Sequence, residues 1–326
     1  MKVKHFSFIA LCALALALAG CGSQSGDELY TIGVFQINSN PNLDATREGF
    51  IDGLEQAGYE DGENIHLIVK NAQGDIAIAQ LIAQQFAQEA DMTMAISTPC
   101  LQAAIKATTA KPIIFGEIAN AYVAGAGASA TDHLPNVTGA FSFHPIKETL
   151  GLLLEIRPEA KRVGVLWNPA QANSVFNVEL EREGAQELGL ELVEVTVSNS
   201  SDVLMAAQTL ATKKVDAIVQ VSDNVVYAAF DSLVKVADEQ RIPLFSNSLD
   251  HAEQGAAVAL GWDFYDNGLK SAELAARVMK GESPADIPFQ GLDEILLHVN
   301  PEAAEAQGLH IPKSVLQRAD KVIGQQ

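Results

Sequence analysis

Asn173 and Ser174 stand between an apolar run that ends at Trp167 and a helix-forming run that opens with Val175. An amide and a hydroxyl at the carboxyl end of a strand, beside the free N–H groups of a helix start, can hold an anion without any cation. The same grouping recurs along the chain. Asn38 and Asn40 follow the apolar run 32–37, and Ser97, Thr98 and Pro99 follow 92–96. Asp223 and Asn224 follow 217–221, and Ser246 and Asn247 follow 242–245. Glu117 and Asn120 come after the short apolar run 112–115. Among these residues Asp223 is the first choice to accept hydrogen bonds from an ammonium group, with Glu117 second. An anion site facing one acid suits a zwitterion, so a small amino acid-like ligand is expected. Asp223 can also be the N-cap of the helix after it, and the two roles are compatible. Tyr122, Phe176, Tyr227 and Phe264 lie near these loops and could stack on a ligand, although aromatics at helical spacing more often belong to a core.

The elements that must carry the loops repeat. A strand over 30–37, a helix over 43–57 stopped by Gly58, a strand over 65–70 and a helix capped by Asp75 make up the first unit. A strand over 163–167, a helix stopped by Gly189, a strand over 191–197 and a helix capped by Asp202 make up the second. Asn38 and Asn168, Gly58 and Gly189, Asp75 and Asp202, Ser97 and Ser222, Pro112 and Pro243 correspond at separations of 125 to 131 residues. Repeated strand–helix alternation predicts an α/β protein of two Rossmann-like parallel-sheet lobes, with ligands at the carboxyl ends of the strands. Chain crossings expected near 141–145, 246–250 and 284–290 form a three-crossing hinge suited to closure. The first lobe is then 30–141 plus 250–284, and the second 142–249 plus 285–326.

Composition narrows the function. Hydrophobic residues at 48% and charged ones at 19% describe a globular chain. A net charge of −20 leaves nothing basic to neutralise phosphates, which argues against nucleic acid. Glu179, Glu181, Glu183, Glu187 and Glu191 are expected on a solvated helix face. Lys2 and Lys4 precede an apolar run over 6–19 that reads as a secretory leader, 1–20, followed by a polar tether over 21–29. Its end, Leu18-Ala19-Gly20-Cys21, resembles the lipobox of bacterial lipoproteins, which implies a lipid on Cys21. Cys100 is then the only free thiol, so no internal disulfide is possible. The scattered histidines and the three cysteines show no zinc spacing, and no Gly-x-Ser-x-Gly, Walker A or HExxH pattern occurs. No cofactor and no metal are expected, and the chain is not read as an enzyme.

Taken together, REGFIDGLEQAGY (47–59), NAQGD (71–75), Ser97-Thr98-Pro99, Asn173-Ser174 and Ser222-Asp223-Asn224 resemble one family. It is the ABC-transporter substrate-binding lipoproteins of the tryptophan/tyrosine-binding type, within the type I periplasmic binding protein fold. The resemblance covers about 32–320. It implies a monomeric receptor, outside the cytoplasm and held to a bacterial membrane by lipid alone. Its partners would be an aromatic amino acid and an ABC permease with its ATPase. The chain departs from the family at Asn120-Ala121, where members commonly show Asp-Pro, and at Ser248-Leu249, where an acid is frequent. A neutral Asn120 strengthens Asp223 as the ammonium partner. Two rival readings use the same fold: a receptor that reports ligand to a signalling partner, and an extracytoplasmic enzyme. Neighbouring permease and ATPase genes would favour transport; turnover would mark an enzyme.

Overall fold

The computed structural model describes residues 29–292 and 294–324. The leader, Cys21 and the tether as far as residue 28 lie outside them. The first lobe starts with β1 (Tyr30–Gln36), α1 (Pro41–Gln56), β2 (Ile65–Asn71), α2 (Ile76–Glu89), β3 (Met92–Ile96), α3 (Thr98–Ala107), β4 (Ile113–Ile118) and β5 (Val137–Phe141). The second contains α4 (Ile146–Ile156), β6 (Arg162–Trp167), α5 (Ala172–Leu188), β7 (Glu191–Thr196), α6 (Val203–Thr212), β8 (Ala217–Gln220), α7 (Asn224–Tyr227), α8 (Phe230–Gln240), β9 (Leu244–Ser248) and β10 (Val258–Trp262). The chain returns to the first lobe for α9 (Phe264–Met279) and β11 (Gln290–Gly291). It ends in the second with β12 (Leu296–Val299), α10 (Pro301–Ala306), α11 (Lys313–Arg318) and β13 (Lys321–Val322).

Both sheets have the same doubly wound core. The first runs β11-β5-β4-β3-β1-β2, with every pair parallel. The second runs β13-β12-β10-β9-β8-β6-β7, with only β10 and β12 antiparallel. All five residues of β3 are buried, as a strand covered by helices on both faces requires. Local signals set the helix ends. Asp75 Oδ1 accepts from Ala77 N at 2.7 Å to start α2, and Gly189 stops α5 in the left-handed conformation at φ 73°. Asp202 does not cap α6 as expected. Its carboxylate turns back to Ser198 N and Asn199 N, closing a capping box on a single 3-10 turn.

Two crossings lie later than the sequence suggests. Residues 250–262 stay in the second lobe, because β10 pairs with β9 and β12 there. The chain crosses only between Trp262 and Phe264, where α9 docks on α1. That docking is close: a Cβ on Gly49 would lie 2.1 Å from Tyr265 O, and one on Gly268 would lie 2.2 Å from Thr46 O. Residues 285–291 likewise remain with the first lobe, where Ile287 and Phe289 enter the core and β11 pairs with β5. The last crossing falls between Gly291 and Leu296. Trp262 Nε1 donates to Phe143 O at 2.8 Å, tying the second crossing to the first.

Candidate functional site

The carboxyl ends of both sheets face one another, and the two sides are built differently. On the first lobe, Ser97 ends β3 with φ 92°, a left-handed backbone that a serine adopts only under constraint. This turn aims the start of the ten-residue α3 at the gap. Thr98 Oγ1 is buried there with no hydrogen-bond partner, and Pro99 occupies a first-turn position where its missing N–H costs nothing. Ser97 Oγ lies beside the Cys100 thiol without a well-aligned hydrogen bond.

Glu117 sits at an irregularity in the β4–β5 pairing between Phe115 and Ile118, also left-handed at φ 51°. Its N–H donates to Asn267 Oδ1 of α9 at 2.8 Å, which fixes the backbone. Its carboxyl is buried and accepts no hydrogen bond from the described residues, so burial alone pushes its pKa up to about 8. Asn120 accepts from Tyr122 N and Val123 N at 2.9 and 3.1 Å, an Asx turn that shapes the loop. Asn40 caps α1 through Leu43 N and donates to Asn38 Oδ1 at 3.0 Å.

In the second lobe, Asp223 is satisfied from within. Asp223 Oδ1 accepts from Val225 N and Val226 N at 2.8 and 2.9 Å. Its Oδ2 accepts from Asn168 N at 2.7 Å and from Ser174 Oγ at 2.5 Å. Four donors fill the acceptor capacity of a carboxylate, so Asp223 is a cap and a cross-brace, and no lone pair is left for a ligand ammonium. This corrects its expected role. Helix α5 begins at Ala172, so Asn173 and Ser174 lie within its first turn rather than before it. Asn224 Nδ2 donates to Gln171 Oε1 at 2.7 Å, and Asn247 Nδ2 to Thr149 Oγ1 at 2.8 Å. The Oδ1 atoms of Asn173 and Asn247 remain unpartnered. Glu181, expected on the solvated face, is instead fully buried with neither oxygen hydrogen-bonded, and burial holds its pKa far above the usual range.

Ser246 Oγ and His251 Nδ1 lie 2.7 Å apart, and the His251 ring stacks on Phe230 at 3.5 Å. Burial lowers the His251 pKa to about 3 and keeps the imidazole neutral. Tyr227, at 4.3 Å from the same ring, has its hydroxyl beside Ser246 without a well-aligned bond. Burial raises the Tyr227 pKa, and the carboxylates of Glu117 and Asp223, one from each lobe, raise it further. Tyr227 ends α7, whose first residue, Asn224, is bonded to the first lobe through its carbonyl.

Direct bonds cross the gap between the lobes. Asn38 Nδ2 donates to Asn224 O at 2.7 Å, and Ser248 Oγ donates to Asn42 Oδ1. Beside them a cavity of about 360 Å³ lies between Val123 of the first lobe and Pro169, Val175 and Phe176 of the second. The sequence singled out neither Asn42 nor His251, and nothing local to either marks it. Among the described residues, no cluster of three or more His, Cys, Asp or Glu side chains could hold a metal ion. None of the described helices is long and apolar enough to cross a membrane.

The sequence matches the family described as ABC transporter substrate binding protein over residues 31–323. The chain belongs to this family. A curated relative, the tyrosine-binding protein of Clostridioides difficile (strain R20291), is 36% identical over 276 residues, covering 84% of this chain and 80% of its own. An ABC domain from Streptococcus pneumonia in complex with L-Trp superposes with a TM-score of 0.86 at 28% identity, over 91% of this chain and 100% of that one. The ligand-free, open structure of a substrate binding protein with adhesive properties from Clostridium difficile is 33% identical, over 90% of this chain and 99% of that one. Its TM-score is only 0.67. Sequence identity ranks the open structure above the L-Trp complex, yet shape ranks it below. In this structure the two lobes are joined directly across the gap by Asn38–Asn224 and Ser248–Asn42.

Proposed function

We propose that the protein is the extracytoplasmic receptor of an ABC importer and that its closed interlobe site takes an aromatic amino acid. The observation that carries this is the buried Glu117 carboxyl, without a hydrogen bond, on the same lobe as the unpartnered Thr98 hydroxyl at the start of α3. An ammonium group gives Glu117 the charge partner it lacks, and the α3 N-terminus with Thr98 receives the carboxylate. Tyr227 and the unpartnered amide oxygens of Asn173 and Asn247 form the opposite wall. Ser97, Asn40, Asn120, Asn224 and Ser246 shape these loops rather than meeting the ligand's charges. A tyrosine-binding relative and an L-Trp-bound neighbour support the aromatic class.

In this reading the mature chain is a monomer tethered through a lipid on Cys21, and its partner is an ABC permease with its ATPase. Closure delivers the ligand contacts of both lobes at once, which biases the open–closed equilibrium. A thermal-shift screen of residues 29–324 against the twenty amino acids, nucleosides and sugars tests it. A rise in melting temperature confined to tryptophan, tyrosine or phenylalanine is expected. A rise with a sugar or nucleoside instead would overturn the zwitterion assignment. Cys21→Ser should release the protein from membranes, and retention there would remove the lipid tether.

A further inference from the structure

Helix α5 turns a stripe of polar side chains inward. Asn173, Asn177 and Glu181 stand four residues apart on it and are buried, at 5%, 0% and 0% exposure. Two bonds pin the start of the helix to the loop after β8. Ser174 Oγ donates to Asp223 Oδ2 at 2.5 Å, and Asn177 Nδ2 donates to Ser222 O at 2.9 Å. The second bond fixes the Asn177 amide, because a carbonyl takes only a donor, and it leaves Asn177 Oδ1 without a partner. Asn173 Oδ1 and both Glu181 oxygens are unpartnered as well. The neighbouring cations are committed elsewhere, Arg182 to Glu194 at 2.6 Å and Lys147 to Glu187. Among the described residues, every unpartnered buried side-chain atom on α5 is thus an acceptor. Helical side chains lean towards the N-terminus of their helix, so the Glu181 carboxyl reaches back along α5 towards the 222–223 loop. The Tyr227 hydroxyl, on the short helix after that loop, senses it. Burial raises the Tyr227 pKa, and the carboxylates of Glu117, Asp223 and Glu181 raise it further.

We infer that Asn177 and Glu181 are the specificity site for the far end of the ligand. They accept from a donor on the aromatic ring, the phenol O–H of tyrosine or the indole N–H of tryptophan, and discriminate against phenylalanine. The inference rests on the aromatic amino acid reading above, in which the first lobe holds the ammonium and the carboxylate. That assignment leaves the ring end to meet the second lobe. Asn177 lies about 6 Å beyond Asn173 along the helix axis, one ring length deeper. Burial, and then the Glu194 carboxylate, hold the Glu181 pKa far above the usual range, so a neutral donor suits it and a second ammonium does not. A ring without a donor would seal these acceptors away unpartnered, which costs more than a lost contact.

The test is calorimetry of wild type, Glu181→Leu and Glu181→Gln with L-tyrosine, L-tryptophan, L-phenylalanine and 4-fluoro-L-phenylalanine. The fluorine fills the place of the hydroxyl and donates nothing. Wild type is expected to bind the first two at least about fiftyfold more tightly than the last two. Glu181→Leu should bring all four within about fivefold of one another, with phenylalanine bound at least as well as by wild type. Glu181→Gln keeps a carbonyl acceptor and should keep most of the discrimination. Equal wild-type affinity for tyrosine and phenylalanine would overturn the inference. So would a Glu181→Leu protein with the wild-type ratio, because Glu181 and Asn177 would then serve only each other. The wild-type series needs no variant, so a Glu181→Leu protein that does not fold cannot shield the inference. Absence of binding by all four is a separate outcome, which fails the aromatic reading itself.

Discussion

Thr98 and Asp223 occupy equivalent places in the two lobes, each just after the third strand of its repeat, yet their surroundings are opposite. The Asp223 carboxylate has four internal donors and ties α7, α5 and the β6 loop together. The Thr98 hydroxyl has none, the serine before it is held at positive φ, and Glu117 nearby on the same lobe is a buried acid without a bond. At this equivalent position the second lobe has closed its hydrogen bonds and the first has left them open. Buried polar groups without partners cost stability, and a structure retains them where a ligand will complete them. In the proposed function the first lobe supplies the charged contacts, and the second, braced by Asp223, closes over them.

The largest expected effect breaks the brace. Asp223→Ala strands four donors and removes a cap, so it should cost roughly 2–4 kcal/mol of stability in urea unfolding. Asp223→Asn that folds normally but binds no amino acid would reverse the comparison and return the ammonium contact to the second lobe. Glu117→Gln acts on the open side. It should leave the fold intact and weaken amino acid binding by about 1.5–3 kcal/mol, read by calorimetry.

The same residue sets a pH signature. In this structure Glu117 titrates near 8, against 4.5 for the ordinary group. The folded state thus holds its proton more tightly than the unfolded one. This contribution to stability is greatest below pH 4.5, declines as pH rises through the window to 8, and is level above it. An ammonium ligand favours the ionised form, so binding releases a proton and affinity should rise with pH towards 8. Glu117→Gln should flatten both profiles. The smallest effect is Thr98→Val, about 0.5–1.5 kcal/mol in affinity with unchanged pH dependence.

Much of the architecture was legible because caps and stops recur at matched separations, and Gly58, Asp75 and Gly189 act locally. The later crossings were not. Strand β10 reads as apolar in either lobe, and only its pairing with β9 and β12 decides its sheet. The glycine contact that seats α9 on α1 involves residues more than two hundred positions apart. The site shows the same limit. Asp223 is an acid in a cleft loop, as the sequence says, but its partners Asn168 and Ser174 lie 55 and 49 residues away. Glu117 was visible only as one more loop carboxylate, since its isolation comes from burial in the fold, with its backbone held by Asn267, 150 residues away.

The most direct test of the division between lobes is a calorimetric comparison of L-tyrosine and L-tryptophan with tyramine and tryptamine, which lack the carboxylate, on wild-type protein and Glu117→Gln. The account predicts that the amino acids bind wild type, that the amines bind far more weakly, and that Glu117→Gln lowers affinity for the amino acids. Amines that bind as tightly as the amino acids, or a Glu117→Gln protein with wild-type affinity, would contradict it.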